Sequence, residues 1–136
     1  MPQQISVGYK ALVAEAERDI TQVSVEQAMA MAERDDVAII DIRDVREVWR
    51  EGRIPGSIHV PRGMLEFWID PQSPYHKPCF TADKSFIFHC AGGLRSVLAT
   101  HIAQRMGLKP VFNMIGGLAA WKTAGGTVEA VEPKHG

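Results

Sequence analysis

The chain has 136 residues, a hydrophobic fraction of 46%, a charged fraction of 23% and a formal net charge of −1. These values are typical of one globular domain, and a charge near zero argues against a nucleic-acid-binding surface, which needs clustered basic residues. No apolar run has the length of a membrane span and the first residues do not resemble a signal peptide, so we expect a cytoplasmic protein.

The first part of the chain predicts two helices and two strands. Apolar residues recur at helical spacing from Tyr9 to Ile20, and we expect this helix to pack against the outside of the sheet. The residues of its apolar face are Tyr9, Leu12, Val13, Ala16 and Ile20. Thr21–Val23 is a candidate strand, and Ser24 with Gln27 matches a capping box that opens a second helix. The apolar run Val37–Asp41 is typical of a strand buried on both faces of a parallel sheet.

Polar residues follow this buried strand. We interpret Asp41 and Arg43 as a supporting salt bridge or as a set of backbone hydrogen bonds that fixes the next turn. A short helix is predicted over residues 45–50, and residues 57–60 form another short strand pattern. His59 in that strand raises the question of a Cys–His nucleophile pair, but a hydrogen-bonded interior histidine is the favoured interpretation.

The segment from residue 64 to residue 80 is apolar at first and then rich in proline. Its proline-rich part, Asp70–Pro78, is predicted to lack regular structure. Two interpretations of Phe67 and Trp68 stay open, because they either wall one side of a cysteine pocket or pack in the core. We interpret Cys79 as a bystander, with a resolving thiol as the alternative.

The stretch Phe86–Ser96 carries the features that indicate chemistry. A short apolar strand ends at Cys90, and a glycine pair, Arg95 and a helical pattern follow. The N–H groups of such a loop and helix start converge on one point, and with Arg95 they should favour the thiolate of Cys90. A buried structural thiol is the alternative, but it gains nothing from the glycines and the arginine. His89 should point to the opposite face of the strand, away from the thiol.

The remaining elements complete the predicted α/β fold. Gly107 is placed to end the helix, Val111–Met114 is a further strand, and Gly116-Gly117 admits a tight turn into a helix that holds Trp121. Strands alternate with helices, which predicts a central parallel sheet with helices on both faces. Cys90 then lies beyond the carboxyl end of a strand, where open α/β sheets bind ligands. The two cysteines of the chain, Cys79 and Cys90, predict neither a disulfide framework nor a metal cluster.

Three segments resemble the rhodanese (thiosulfate sulfurtransferase) family, single-domain type. Cys-x-x-Gly-x-Arg-Ser at residues 90–96 resembles its active-site loop, and Gly-Gly-x-x-x-Trp at residues 116–121 resembles its ending. Residues 41–57 resemble the Asp-x-Arg…Glu…Gly-His-Ile-Pro-Gly-Ala segment, with Arg53 for histidine, Ser57 for alanine and one additional residue before Gly52. The resemblance implies a rhodanese-like domain over residues 21–126. The helical spacing predicts an N-terminal helical extension at 1–20, and the composition of the tail at 127–136 predicts that it is frayed.

The resemblance also implies a sulfurtransferase. A sulfane sulfur would pass from thiosulfate or a persulfide donor, through a Cys90 persulfide, to a thiol or cyanide acceptor. The residues expected to hold the substrate are Ala91, Gly92, Gly93, Leu94, Arg95 and Ser96, with Asp41 and Arg43 in support. Arg95 would attract anionic donors, and Ser96 would cap the following helix. No cofactor or metal is implied, and the expected partners are a small anionic sulfur donor and a thiol acceptor, or a protein acceptor, without nucleic acid or membrane.

Two other classes of protein stay open. One is a sulfur-carrier or protein-binding module of this fold, in which turnover is incidental. The other is a cysteine phosphatase or an arsenate reductase, which also uses a loop with a cysteine and an arginine. Tyrosine-phosphatase loops resemble a cysteine, five residues and an arginine, whereas only four residues separate Cys90 from Arg95 here. Loop length therefore favours the sulfur enzyme.

Overall fold

The computed structural model describes residues 1–133 and is organised around a five-stranded sheet. The strands are β1 (Thr21–Val23), β2 (Val37–Asp41), β3 (Ile58–His59), β4 (Ser85–His89) and β5 (Val111–Met114). They lie in the order β1-β5-β4-β2-β3, and every neighbouring pair is parallel. The carboxyl ends of β2, β4 and β5 therefore meet at one edge of the sheet.

Six α-helices surround this sheet in the described part of the chain. They are α1 (Tyr9–Asp19), α2 (Val25–Ala32), α3 (Val45–Glu51), α4 (Leu65–Ile69), α5 (Arg95–Arg105) and α6 (Gly117–Thr123), with short 3-10 helices at Arg62–Met64 and Pro78–Thr81. The capping box predicted at Ser24 and Gln27 is present at the start of α2. A second capping box, formed by Asp44 and Glu47, opens α3.

Side chains of the central strand β4 pack on both faces of the sheet. Phe86 and Phe88 lie in a hydrophobic cluster with residues of α4 and α5, whereas Ile87 lies in a second cluster with residues of α2 and α6. Because successive side chains of a strand point to opposite faces, a continuous apolar run fits only a strand that is covered on both sides. The predicted α/β fold with helices on both faces is confirmed.

The N-terminal helix differs from the prediction in what it contacts. Val13 and Ala16 of α1 are buried against Val97 of α5, so the helix packs on α5 rather than directly on the sheet. Tyr9 and Leu12, predicted to face inward, are 61% and 45% exposed. The physical reason is that α5 already covers this face of the sheet, which leaves α1 a narrow contact through small side chains.

The chain beyond α6 is anchored, where the sequence led us to expect a frayed tail. The indole Nε1 of Trp121 donates to the Thr127 carbonyl at 2.8 Å. Glu129 pairs with Arg53 in an antiparallel bridge, and their side chains form an ion pair at 2.7 Å. The last residues of the predicted tail, 134–136, lie outside the described residues, and the proposed domain boundaries stay a prediction.

Candidate active site

Cys90 lies directly after β4, at the carboxyl edge of the sheet. Its side chain is 1% exposed. The Gly93 backbone N–H donates a hydrogen bond to Cys90 Sγ at 3.1 Å, and Ser96 Oγ lies 3.4 Å from the same sulfur. In the described part of the chain, Gly93 supplies the one backbone N–H bonded to this sulfur. The cysteine thus lies in the strand–loop–helix junction that the sequence predicted.

Two glycines allow the Cys90 loop to pack against the start of α6. Gly93 and Gly117 have φ angles of +96° and +61°, in the left-handed region that side chains disfavour. A Cβ on Gly117 would lie 2.5 Å from the Cys90 carbonyl oxygen, and one on Gly93 would lie 2.8 Å from the Gly116 nitrogen. The two turns approach each other so closely that any side chain at either position would force them apart.

The N-terminus of α6 holds the carbonyl groups of the Cys90 loop. Leu118 N–H donates to the Cys90 carbonyl at 2.9 Å, and Ala119 N–H donates to the Ala91 carbonyl at 3.1 Å. Peptide carbonyl and N–H groups point in opposite directions across the peptide plane. Fixing these carbonyls against α6 therefore fixes the orientation of the peptides that follow Cys90.

The Arg95 guanidinium is paired with the carboxylate of Glu47, which the sequence analysis did not assign to the site. Its guanidinium donates to both carboxylate oxygens of Glu47, at 2.8 and 2.9 Å. Glu47 also accepts from Asp44 N–H in the capping box of α3. The hydrogen bonds from Arg95 hold the pKa of Glu47 below its usual range, and they outweigh the opposite effect of burial. Arg95 thus fastens the Cys90 loop to α3, and its charge is balanced there.

Ser96 does not cap α5, and this prediction is wrong. The helix begins at Arg95 with Leu94 at the N-cap position, so Ser96 lies inside the first turn. Its buried Oγ donates to Asn113 Oδ1 at 2.6 Å, which takes the hydroxyl away from the helix backbone. Asn113 is a residue beside the Cys90 loop that the sequence analysis missed. The signal available was a polar residue in the middle of an apolar strand, which must find a partner when buried.

Asp41 and Arg43 form a buried ion pair beside the loop. Arg43 donates to both Asp41 oxygens, at 2.9 and 2.6 Å, and to the Gly52 carbonyl at 2.8 Å. Burial alone would raise the pKa of Asp41, but the hydrogen bonds and charge of Arg43 keep that pKa below its usual value. Next to this pair, Ile42 N–H donates to the His89 carbonyl at 3.1 Å. The pair thus ties the end of β2 to the turn at Gly52.

The two candidate histidines have other partners than the thiol. His59 Nε2 lies 2.7 Å from the Arg43 carbonyl oxygen. His89 Nδ1 lies 3.1 Å from the Cys90 carbonyl oxygen, and burial lowers the pKa of His89, which favours its neutral form. In residues 1–133, neither ring is hydrogen bonded to Cys90 Sγ. These contacts fit interior histidines rather than a Cys–His pair.

The 64–80 segment contributes to the core through α4. Trp68 packs against the cluster that contains Phe86 and Phe88, with the Lys77 ammonium 4.9 Å from its ring centroid. Phe67 is 53% exposed. Cys79 is half-buried in the second 3-10 helix, and burial raises the pKa of its thiol.

A cavity of about 270 Å³ opens beside the Cys90 loop. Its lining residues are Arg43, Glu47, Arg50, Glu51, Ala91, Leu118, Ala119 and Lys122. A larger cavity of about 380 Å³, between α3 and the Ser57–His59 region, has no residue of the 90–96 loop in its lining. Of these two cavities, the smaller one has a residue of the 90–96 loop, Ala91, in its lining, and its walls carry charges of both signs.

Within residues 1–133, no group of three or more His, Cys, Asp or Glu side chains is arranged to hold a metal ion. No helix in this part of the chain is long and apolar enough to cross a membrane.

Comparison with known proteins identifies the family. The model of the family described as "Rhodanese-like domain" matches residues 24–124. A putative sulfurtransferase of Bacillus subtilis, YtwF, is 30% identical over 105 residues, which cover 76% of this chain and 92% of that protein. The mouse thiosulfate sulfurtransferase/rhodanese-like domain-containing protein 3 is 28% identical over 93 residues, which cover 65% of this chain but only 59% of that protein.

A solved structure from Rhodopseudomonas palustris CGA009 is similar over nearly the whole chain. It is 56% identical with a TM-score of 0.92, and the match covers 95% of this chain and 99% of that one. That protein is described as one of unknown function and a possible tyrosine phosphatase. The family match, the parallel sheet and the Cys90 loop agree with one another, and this chain belongs to the rhodanese-like domain family.

Proposed function

We propose that this protein is a sulfurtransferase that carries a sulfane sulfur on Cys90. The observation that supports it best is the position of the sulfur, which is buried at the carboxyl end of β4 and accepts the Gly93 N–H at 3.1 Å. A backbone N–H aimed at a sulfur stabilises negative charge on that sulfur and on an atom bound to it. The names of the bacterial and mouse relatives support the same class of reaction.

The proposed reaction has two displacement steps. The Cys90 thiolate attacks the outer sulfur of a donor such as thiosulfate, a Cys90–sulfur bond forms, and the sulfur–sulfur bond of the donor breaks as sulfite leaves with the bonding pair. An acceptor thiolate or cyanide then attacks the terminal sulfur of the persulfide and regenerates the Cys90 thiolate. Atoms and electrons balance without an oxidant, a metal or a cofactor.

Each supporting residue has a proposed task. The peptides of residues 91–96 surround the terminal sulfur, with Gly93 N–H already in place on Sγ. Arg95 fastens the loop to α3 through Glu47, so its electrostatic pull on an anionic donor is weaker than that of a free guanidinium. Asp41 and Arg43 hold the end of β2 against the neighbouring turn.

A phosphatase is the second candidate, because the Rhodopseudomonas palustris relative is described as a possible tyrosine phosphatase. Two observations weigh against it. Only four residues separate Cys90 from Arg95, which leaves fewer N–H groups to surround a tetrahedral phosphoryl group. The loop is also closely packed on Gly117, so it has little room to widen. A loop of this length fits a single sulfur atom better.

Intact mass spectrometry tests the proposal. Incubation with thiosulfate should add the mass of one sulfur atom, and dithiothreitol should remove it. Cys90→Ser should take up no sulfur, whereas the matched variant Cys79→Ser should load like the parent protein. A chromogenic aryl phosphate should not be hydrolysed above background. Phosphatase turnover that depends on Cys90, with no sulfur loading, would overturn the proposed function.

A further inference from the structure

The Cys90 sulfur has two polar neighbours with different roles. Gly93 N–H donates to Sγ, and Ser96 Oγ lies 3.4 Å from the same sulfur. Ser96 Oγ also lies 2.6 Å from Asn113 Oδ1, which can only accept a hydrogen bond. The single hydroxyl hydrogen of Ser96 is therefore used toward Asn113. Ser96 thus presents a lone pair to Cys90, so that the sulfur has one donor and one acceptor around it.

The orientation of the Asn113 amide is fixed from its other side. Its Nδ2 lies 2.9 Å from Gln22 Oε1 and 3.4 Å from the carbonyl oxygen of Gly93. A backbone carbonyl oxygen only accepts, so the amide nitrogen must face it. Asn113 Oδ1 is then left to face Ser96.

The orientation of the Gln22 amide is fixed in turn by a carboxylate. Gln22 Nε2 lies 3.3 Å from Glu17 Oε2, and an ionised carboxylate only accepts. Gln22 must therefore direct its nitrogen toward Glu17 and its oxygen toward Asn113. All donors thus point the same way, from Ser96 toward Glu17. Glu17 lies in α1 and Gln22 in β1, both outside the residues 24–124 that match the family model.

We propose that this chain of side chains, running from Glu17 through Gln22 and Asn113 to Ser96, directs the Ser96 hydroxyl away from Cys90 and holds Ser96 Oγ as an acceptor for the Cys90 S–H. Gln22 and Asn113 are then positioning residues, which act on Cys90 through the direction of the Ser96 hydroxyl. When the thiol loses its proton to solvent, the sulfur no longer has a hydrogen to give. Ser96 must then turn its hydroxyl toward the sulfur and lose its bond to Asn113.

This inference deepens the proposed function, since the same hydroxyl rotation would accompany formation of a Cys90 persulfide. Its test does not depend on sulfur transfer, because alkylation by iodoacetamide reports the thiolate directly. In the described part of the chain, the charged groups around the Cys90 loop include Arg95 with Glu47 and the buried Asp41–Arg43 pair, and burial lowers the pKa of the neighbouring His89. The variants below leave all of these groups unchanged.

The experiment measures the alkylation rate of Cys90 against pH in a Cys79→Ser background. Asn113→Leu removes the acceptor of the Ser96 hydroxyl, which then turns to the sulfur. The rate below neutral pH should rise roughly tenfold, the order expected for one hydrogen bond to a charged group. Gln22→Met, at a half-buried edge position, should raise the rate by a smaller factor. Thr21→Ala is the matched control, because Thr21 is the exposed neighbour of Gln22 in β1 and lies outside this chain of side chains, so its rate should equal that of the parent.

A double variant separates this effect from a general loosening of the site. Adding Ser96→Ala to Asn113→Leu should abolish the rise in rate, because no hydroxyl remains to turn toward the sulfur. If folded Asn113→Leu and Gln22→Met proteins react at the parent rate or more slowly, the proposed direction of the chain is wrong. If the rates change as expected but thiosulfate never loads Cys90, the proposed function fails and the hydrogen-bond chain stands.

Discussion

Adding one methyl group at Gly117 should disturb the Cys90 loop without changing any catalytic atom. The Cβ of Gly117→Ala would lie 2.5 Å from the Cys90 carbonyl oxygen and 2.7 Å from the Ala91 carbonyl oxygen. Both oxygens belong to the backbone, so neither can move aside as a flexible side chain can. The loop or the start of α6 must shift, and the hydrogen bonds from Leu118 and Ala119 are lost or lengthened.

The expected loss of stability follows from these contacts. Placing a non-glycine residue at a φ of +61° costs about 1 to 2 kcal/mol. Each lost hydrogen bond adds about 0.5 to 1.5 kcal/mol. We therefore expect the free energy of unfolding to fall by about 3 kcal/mol, which lowers the melting temperature of a domain of this size by roughly 10 °C.

Urea unfolding and thiosulfate loading measure the two consequences of Gly117→Ala. Gly92→Ala is the matched control for stability, because a Cβ there meets nothing within 4 Å and the backbone is not left-handed. That control should unfold within about 0.5 kcal/mol of the parent protein. Gly117→Ala should unfold earlier and load sulfur more slowly. A Gly117→Ala protein with parental stability and loading would refute the idea that close packing on α6 shapes the Cys90 loop.

Three further predictions concern charged residues around the loop. Glu47→Gln frees the Arg95 guanidinium, so the rate of sulfur loading by thiosulfate should rise severalfold. Arg95→Ala removes this cation and should lower the same rate. Equal loading rates in the two variants would contradict an electrostatic role of Arg95. Asp41→Asn leaves the Arg43 charge buried without its partner, and urea unfolding at neutral pH should show a loss of about 3 to 5 kcal/mol. The pKa of Asp41 is lower in the folded than in the unfolded protein, so ionised Asp41 stabilises the fold. This stabilisation is complete above the pKa of the unfolded state, about 3.9, and is lost as the pH falls through the pKa of the folded state. The difference in unfolding free energy between Asp41→Asn and the parent should therefore decrease in acid. A difference that does not change with pH would show that it does not come from the ionisation of Asp41. Lys122→Glu reverses a charge in the cavity beside Ala91, and initial rates should show a larger decrease in loading by the thiosulfate dianion than in alkylation by neutral iodoacetamide.

The strands and the cysteine loop were predictable because their determinants are local. Val37–Asp41 and Phe86–Phe88 are continuous apolar runs, and only a strand covered on both faces suits such a run. Gly93 and Gly117 belong to short motifs whose glycines meet a local conformational need. The junction that holds Cys90 could therefore be read from neighbouring residues.

The partners of the loop residues were not predictable in the same way. Glu47 lies 48 positions from Arg95, and Asn113 lies 17 positions from Ser96, so no local pattern connects them. A serine near a helix start is statistically a cap, but the nearby Asn113 amide competes for its hydroxyl. The apolar spacing of α1 indicated a helix correctly, yet it did not reveal that another helix already covered the sheet.

The lengths of the strands have a consequence for how this protein behaves at high concentration. The outer strands β1 and β3 have three and two residues, whereas the interior strands β2 and β4 have five each. An outer strand presents unpaired N–H and C=O groups that can template the addition of a strand from another molecule, and very short outer strands limit this risk. A sheet that is longest in its centre and short at both margins gives a neighbouring molecule little backbone to pair with. We therefore expect the folded protein to resist aggregation through its sheet edges.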